Sequence, residues 1–219
     1  MGVGHRYSMD LANYTMKQID HFFPDGERND AVKIKEVFIK AQERALYCFD
    51  HTVAYRNHGG KINFLHGDQY AMFLYFLSNE AYQTGFQNLY YKSALLNKCL
   101  HGIDLFGHIN MPSVFLLVHP VGTIIGRATM GERIVIYQGV TIGGKHTAEG
   151  IDYPIIDNDV CLFSNTSVIG KCRLANGTVV AANTSIIDLA SRPNTLVVGS
   201  YPVNKTKALY SDMSRQFFV

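Results

Sequence analysis

The stretch VHPVGTIIGRATMGERIVIYQGVTI, residues 118–142, decides the fold. Counting from Val118 in steps of six lands on Ile124, Met130, Ile136 and Ile142, and a second count from Ile156 lands on Leu162, Val168, Leu174, Val180 and Ile186. Every position is aliphatic. If such residues hold about a quarter of positions, a run of this kind arises by chance less than once in roughly 100,000 trials. Four residues after each column position a small or β-branched residue mostly stands: Gly122, Ala128, Ile134, Val140, then Val160, Thr166, Cys172, Thr178 and Thr184. A period of six fits no α-helical face, and one straight strand would far exceed the usual length of about 5 to 6 residues. Short strands that turn at regular corners stack into a parallel β-helix with the aliphatic column inside. The two counts are out of phase by two residues across GGKHTAEGIDYPI, 143–155, so this segment is expected to loop out of the coil. Loops on a rigid scaffold are where function tends to sit.

Upstream, from about Leu11 to His101, the apolar period is helical. Asn29 or Asp30 can cap a helix carrying Ile34, Val37, Ala41, Ala45 and Cys48, which the His58-Gly59-Gly60 break ends. Asp68 can open a second helix through Tyr70, Phe73, Leu74 and Leu77, and a third runs from about Phe86 to Leu100. Tyr70, Phe73, Tyr75 and Phe76 are expected in the core or at subunit contacts. The resulting expectation is an α+β chain: a helical domain over 1–110, a coil over 111–204 and a C-terminal tail over 205–219.

The 219 residues are 47% hydrophobic with a net charge of +2, enough for a large core and too balanced for a nucleic acid or anionic membrane partner. Cys48, Cys99, Cys161 and Cys172 form no CxxC pair, which suits free thiols in a reducing compartment and predicts a cytoplasmic protein. The opening MGVGHRYSMD lacks the apolar centre of a signal peptide, and the apolar runs Tyr70–Leu77 and Val114–Val118 fall short of the roughly 20 residues that span a bilayer.

The segments HPVGTIIG at 119–126, YQGVTIGG at 137–144 and YPIIDNDV at 153–160 resemble the hexapeptide-repeat acyltransferases, and among them the serine acetyltransferase branch. The likeness runs from about Pro112 to Asn204. It implies a left-handed parallel β-helix behind a helical segment, a homotrimer, acetyl-CoA as co-substrate, no metal, and direct transfer without a covalent enzyme intermediate. By motif position His119, followed by Gly122, is the catalytic base. An imidazole of pKa near 6.5 can take the proton of an attacking hydroxyl, which is worth roughly 100- to 10,000-fold. Because His119 precedes Pro120 its backbone is expected to be extended. His146, in the extruded loop, is the alternative base and a candidate acceptor contact. Gly144 is expected to donate its N–H to the carbonyl oxygen as charge develops, with Gly143 beside the cofactor; a turn that needs positive φ is the plain reading of the same pair. Lys145, beside His146 in the loop, is a candidate for a cofactor phosphate; by motif position the resemblance assigns Ser164 and Ala182 to the cofactor groove, where tight coil corners also require small residues, and Lys205 with Lys207 are available for phosphate. Cys161 is discounted as a nucleophile because no base adjoins it in sequence.

The serine-specific branch carries an acid before the catalytic histidine and an Arg-His pair before the proline that closes the loop. This chain has Val118 and Asp152-Tyr153 there. Losing the partners of an amino acid's ammonium and carboxylate predicts a neutral, hydroxyl-rich acceptor, a sugar or polysaccharide hydroxyl contacted by Asp152, Tyr153 and His146. Serine O-acetylation, amino-sugar N-acetylation and an inactive scaffold coil are the alternatives. The helical segment is shorter than that of the branch, so its hexameric assembly does not carry over.

Overall fold

The computed structural model describes residues 4–26 and 31–219; the expected caps Asn29 and Asp30 lie outside the described residues. The chain is α+β, with helices first and a left-handed parallel β-helix after them. The helices are α1 (Gly4–Phe22), α2 (Ala31–Asp50), α3 (Gly67–Gln83) and α4 (Gln87–His101). Helix α3 begins after His66, whose backbone is extended, and carries Asp68 in its first turn, where a carboxylate complements the helix dipole. Every residue from Asp68 to Asn79 is buried. The sequence predicts one apolar face for this helix, but α2, α4 and the first coil strand enclose it, so its apolar surface is continuous around the axis.

The link from α4 to the coil is seated on α3. Helix α4 stops at Gly102, whose φ of 66° is a conformation that glycine adopts without strain. The Tyr75 hydroxyl donates to the Ile109 carbonyl at 2.9 Å and accepts from the Met111 N–H at 3.0 Å. Asn79 donates to the Gly107 carbonyl at 2.6 Å. Gly107 admits no side chain, since a Cβ would stand 2.3 Å from the Ser78 backbone. These contacts fix the height and angle at which the coil starts.

The coil is a three-sided stack. One face holds Phe115–Val118, Ile134–Tyr137, Cys161–Leu162, Val179–Val180 and Thr195–Val198, all parallel. A second holds Ile124–Ile125, Thr141–Gly143, Ser167–Ile169 and Ser185–Ile187, and a third Thr129–Met130, Ile155–Ile156 and Arg173–Leu174. Ile136, Ile142, Ile156, Leu162, Val168, Leu174, Val180 and Ile186 are all buried, in ladders where like meets like.

The first coil departs from the count of six. Its inward residues are Leu117 and Ile125, which pair with Ile136 and Ile142, whereas Val118 is only partly buried and Ile124 is 48% exposed. The cause is a wider corner. Val118 aligns with Tyr137 and Ile124 with Thr141, so His119 to Gly122 occupy the place that Gln138 and Gly139 fill one rung above.

The 143–155 segment leaves the coil as expected, as an antiparallel hairpin of Lys145–Thr147 with Gly150–Asp152. At the far end Lys205–Ala208 pairs antiparallel with Thr195–Val198. The chain then returns to the helices: Ser214 donates to Asp159 at 3.0 Å, the Val53 N–H donates to the Phe217 carbonyl at 2.8 Å, and Phe218 is buried. Among the described residues no helix is long and apolar enough to cross a membrane.

Candidate active site

His119 stands in the widened corner with its side chain 78% exposed. Its backbone is not extended, as the following proline predicts, but has φ of 48°. Such a conformation is costly for a residue with a Cβ and persists only where neighbours enforce it. Three hydrogen bonds do so here. The His119 N–H donates to Asp68 Oδ2 at 3.1 Å, the Val121 N–H donates to the His119 carbonyl at 2.6 Å, and the Gly122 N–H donates to the Gly102 carbonyl at 3.0 Å.

Asp68 also faces the ring. Its Oδ2 lies 3.6 Å from His119 Nδ1, within ion-pair reach and longer than a direct hydrogen bond. The carboxylate sits at the N-terminus of α3, 12% exposed, near Tyr55, whose phenol is pushed up first by burial and then by the charge of Asp68. Nearby His101 is held down to about 4 by burial, against the pull of Asp68, and so stays neutral near pH 7. An Nδ1 turned to a carboxylate leaves Nε2 free to accept a proton. Asp68 carries no signal for this role in sequence, because it reaches His119 only through the fold.

From His119 the edge between the first and second faces runs up the coil through Gln138, Ser164 and Ala182. The order follows from the pairing of Ile136, Leu162 and Val180, and from the Asn165 and Asn183 N–H groups that donate to the Gln138 and Ser164 carbonyls. Lys205, exposed, pairs with Val198 at the top of the same edge. At about 4.8 Å per rung, roughly 24 Å separate the His119 and Lys205 levels. The structure thus strings His119, Ser164, Ala182 and Lys205 along one line.

Gly143, Gly144, Lys145, His146, Asp152 and Tyr153 lie elsewhere, at the opposite end of the second face. In one copy of the chain the two groups therefore bound different edges. Neither Gly143 nor Gly144 has positive φ. Gly144 is needed for space: a Cβ there would stand 2.6 Å from Ile151 Cγ2 and 2.8 Å from the Tyr153 ring. Lys145 is paired with Asp188, which raises the lysine and lowers the carboxylate, so its ammonium already has a partner. His146 is exposed on the hairpin. A groove of about 380 Å³ opens below the hairpin and joins Gly144 and Tyr153 to Asp104, Phe106, His108 and Arg127, of which sequence reading had singled out only the first two. A larger cavity of about 560 Å³, walled by Leu11, Gln42, His58 and Phe64, lies in the helical segment and holds none of the expected site residues. Cys161 is buried inside the coil, and burial pushes its thiol up to about 12, which suits no nucleophile.

No protein-family model matches the sequence. Serine acetyltransferases of Staphylococcus epidermidis and Staphylococcus aureus are 25% identical to it over 103 residues, 47% of this chain and 48% of theirs. The chain thus spans about half the length of the curated relatives it matches. Among solved structures, the serine acetyltransferase of Neisseria gonorrhoeae superposes with a TM-score of 0.68 at 22% identity, over 94% of this chain and 82% of that one. That of Vibrio cholerae gives 0.70 at 18% identity, over 92% and 80%. A Brucella abortus serine acetyltransferase in complex with coenzyme A gives 0.66 at 16% identity, over 93% and 84%. Helical segment and coil are both included in these superpositions: the chain is similar in fold to the serine acetyltransferases over nearly its whole length, and similar in sequence to them over 103 residues.

Proposed function

We propose that the chain is an acetyl-CoA-dependent O-acetyltransferase whose acceptor is a hydroxy amino acid, serine first. The observation that carries the reading is the imidazole of His119, exposed at a coil edge with Asp68 behind its Nδ1. The similarity to serine acetyltransferases, some of them in complex with serine or coenzyme A, supports this acceptor class over the sugar expected from the sequence.

His119 Nε2 takes the proton of the acceptor hydroxyl as its oxygen attacks the thioester carbonyl. The Gly144 N–H donates to the carbonyl oxygen while it carries negative charge. When the tetrahedral adduct collapses, the carbon–sulfur bond breaks and the imidazolium returns its proton to the departing thiolate, leaving ester and free coenzyme A. Asp68 orients the ring and stabilises the imidazolium between the two transfers. The edge from His119 to Lys205 carries the cofactor, with Ser164 and Ala182 small enough to let it lie close and Lys205 meeting phosphate. His119 and Gly144 lie at opposite ends of one face, so a complete site needs the base of one copy beside the glycine of the next, and the working form is a homotrimer. Gly143 lines the same cleft, and His146 and Asp152 border the acceptor from the hairpin.

A sugar hydroxyl is the second reading, favoured by the Tyr153 and Phe106 rings in a groove of about 380 Å³. Following thiol release from acetyl-CoA against serine and a panel of sugars tests both. Serine turnover at least 10-fold above the sugars is expected, and transfer to sugars alone overturns the first reading. Transfer to nothing, with no coenzyme A bound, leaves an inactive scaffold.

A further inference from the structure

We propose that Arg127 determines acceptor specificity: it binds the carboxylate of a hydroxy acid lying against Tyr153, one rung below Gly144. The inference rests on the reading of this groove as the acceptor side of an acetyltransferase.

The guanidinium carbon lies 5.4 Å from the centre of the Tyr153 ring, a cation–π contact that steadies an exposed side chain. Among the described residues Arg44 and Arg133 each hold a carboxylate, and Arg127 holds none. The ring under it is itself fixed, because Tyr153 packs on Gly144 so closely that a Cβ there would stand 2.8 Å from it. Gly144, Tyr153 and Arg127 thus form one contiguous wall of the groove.

Register sets the spacing along that wall. Ile125 pairs with Ile142 and the Gly126 N–H donates to the Ile142 carbonyl at 2.8 Å, so Gly126 and Arg127 stand one rung below Gly143 and Gly144. Rungs are about 4.8 Å apart. A guanidinium fork matches a carboxylate in two parallel hydrogen bonds. With its carboxylate on Arg127, an acceptor reaches the carbonyl beside Gly144 if its hydroxyl lies about one rung away. A β-hydroxy acid such as serine has that reach, and a uronic sugar carries the same carboxylate beside hydroxyls; a neutral sugar does not. The loop's Asp152-Tyr153 supplies no cation next to Pro154, and the preceding coil delivers one to the same ring.

The test measures kcat/KM for L-serine, 3-hydroxypropionate, serinamide, glucuronate and glucose in the parent and in Arg127→Gln and Arg127→Lys, with the Kd for coenzyme A as the check on folding. The parent should favour the carboxylate over its neutral counterpart at least 10-fold in one pair, serine over serinamide or glucuronate over glucose, and that pair identifies the source. Arg127→Gln should erase the preference by raising KM for the carboxylate acceptor about 10- to 100-fold, with Arg127→Lys intermediate and Kd for coenzyme A unchanged. A parent that binds coenzyme A yet treats both pairs alike, or an Arg127→Gln variant that keeps the preference, overturns the role of Arg127 and leaves the acetyltransferase reading standing. A parent that binds no coenzyme A overturns both.

Discussion

The coil and the helical segment bury their residues on different principles. Leu162 lies between Ile136 below and Val180 above, aliphatic against aliphatic, and the same relation repeats rung after rung. In α3 each buried residue meets something different: Tyr70 faces Thr15 and Gln18, Tyr75 the 109–111 backbone, and Asn79 both Arg44 and Gly107. A repeated ladder holds positions at fixed heights but offers few singular contacts. The helices supply those, and the one that matters for chemistry is Asp68, which reaches across to His119. Height along the edge comes from the coil, and the setting of the base from the helices.

The sharpest way to break this comparison is to charge the ladder. Leu162→Asp should yield no folded protein by circular dichroism, since an unpaired buried carboxylate costs several kcal/mol, while Leu162→Ala should fold with a loss of about 2–5 kcal/mol in denaturant melts. A folded Leu162→Asp would mean that the column does not hold the coil together. Next in size, His119→Ala should lower turnover by about 100-fold or more and leave the melting temperature near that of the parent, because the imidazole is exposed. Near-normal turnover there would move the base to His146. Asp68→Asn separates the two regions' shares: the amide still accepts the His119 N–H, so the fold should stand, while kcat falls about 10- to 100-fold and the pH–rate profile shifts. A lower kcat with an unmoved profile would reduce Asp68 to packing.

The smallest effect concerns pH. Between its ordinary value of 6.5 and the value of about 4 to which burial holds it, His101 binds a proton in the unfolded chain and not in the folded one. Stability from this group is therefore present above pH 6.5 and lost as the pH falls toward 4. His101→Gln should flatten that part of the melting-temperature curve, and an unchanged slope would assign the acid sensitivity elsewhere.

How far the sequence could be read follows the same division. Periodicity is local, so the ladders from Met130 upward and the segment that leaves the coil are legible, whereas Ser164 and Ala182 are singled out only by the resemblance. The count failed at the first coil, where it took Val118 and Ile124 for the inward Leu117 and Ile125, because two additional corner residues shift the phase and an aliphatic residue stands beside each true position. The partners of His119 could not be read at all. Asp68 lies fifty-one residues away on another element, and its sequence signal was only that of a helix start. Read in line, the loop's lack of Arg-His points to a neutral acceptor; no spacing signals that Arg127 joins Tyr153 from a different turn of the coil.

The antiparallel strand Lys205–Ala208 has a consequence for solubility. A parallel stack ends in a row of unpaired amides and carbonyls, an invitation for another molecule to add on top and for filaments to grow. Reversing direction at the last step covers that row on one face with a short strand carrying the exposed Lys205 and Lys207, charges that discourage a further strand, and at the opposite end Phe115 packs beneath Tyr75 and Phe76. Charged above and covered below by aromatic rings, this face of the stack offers a poor template for another molecule.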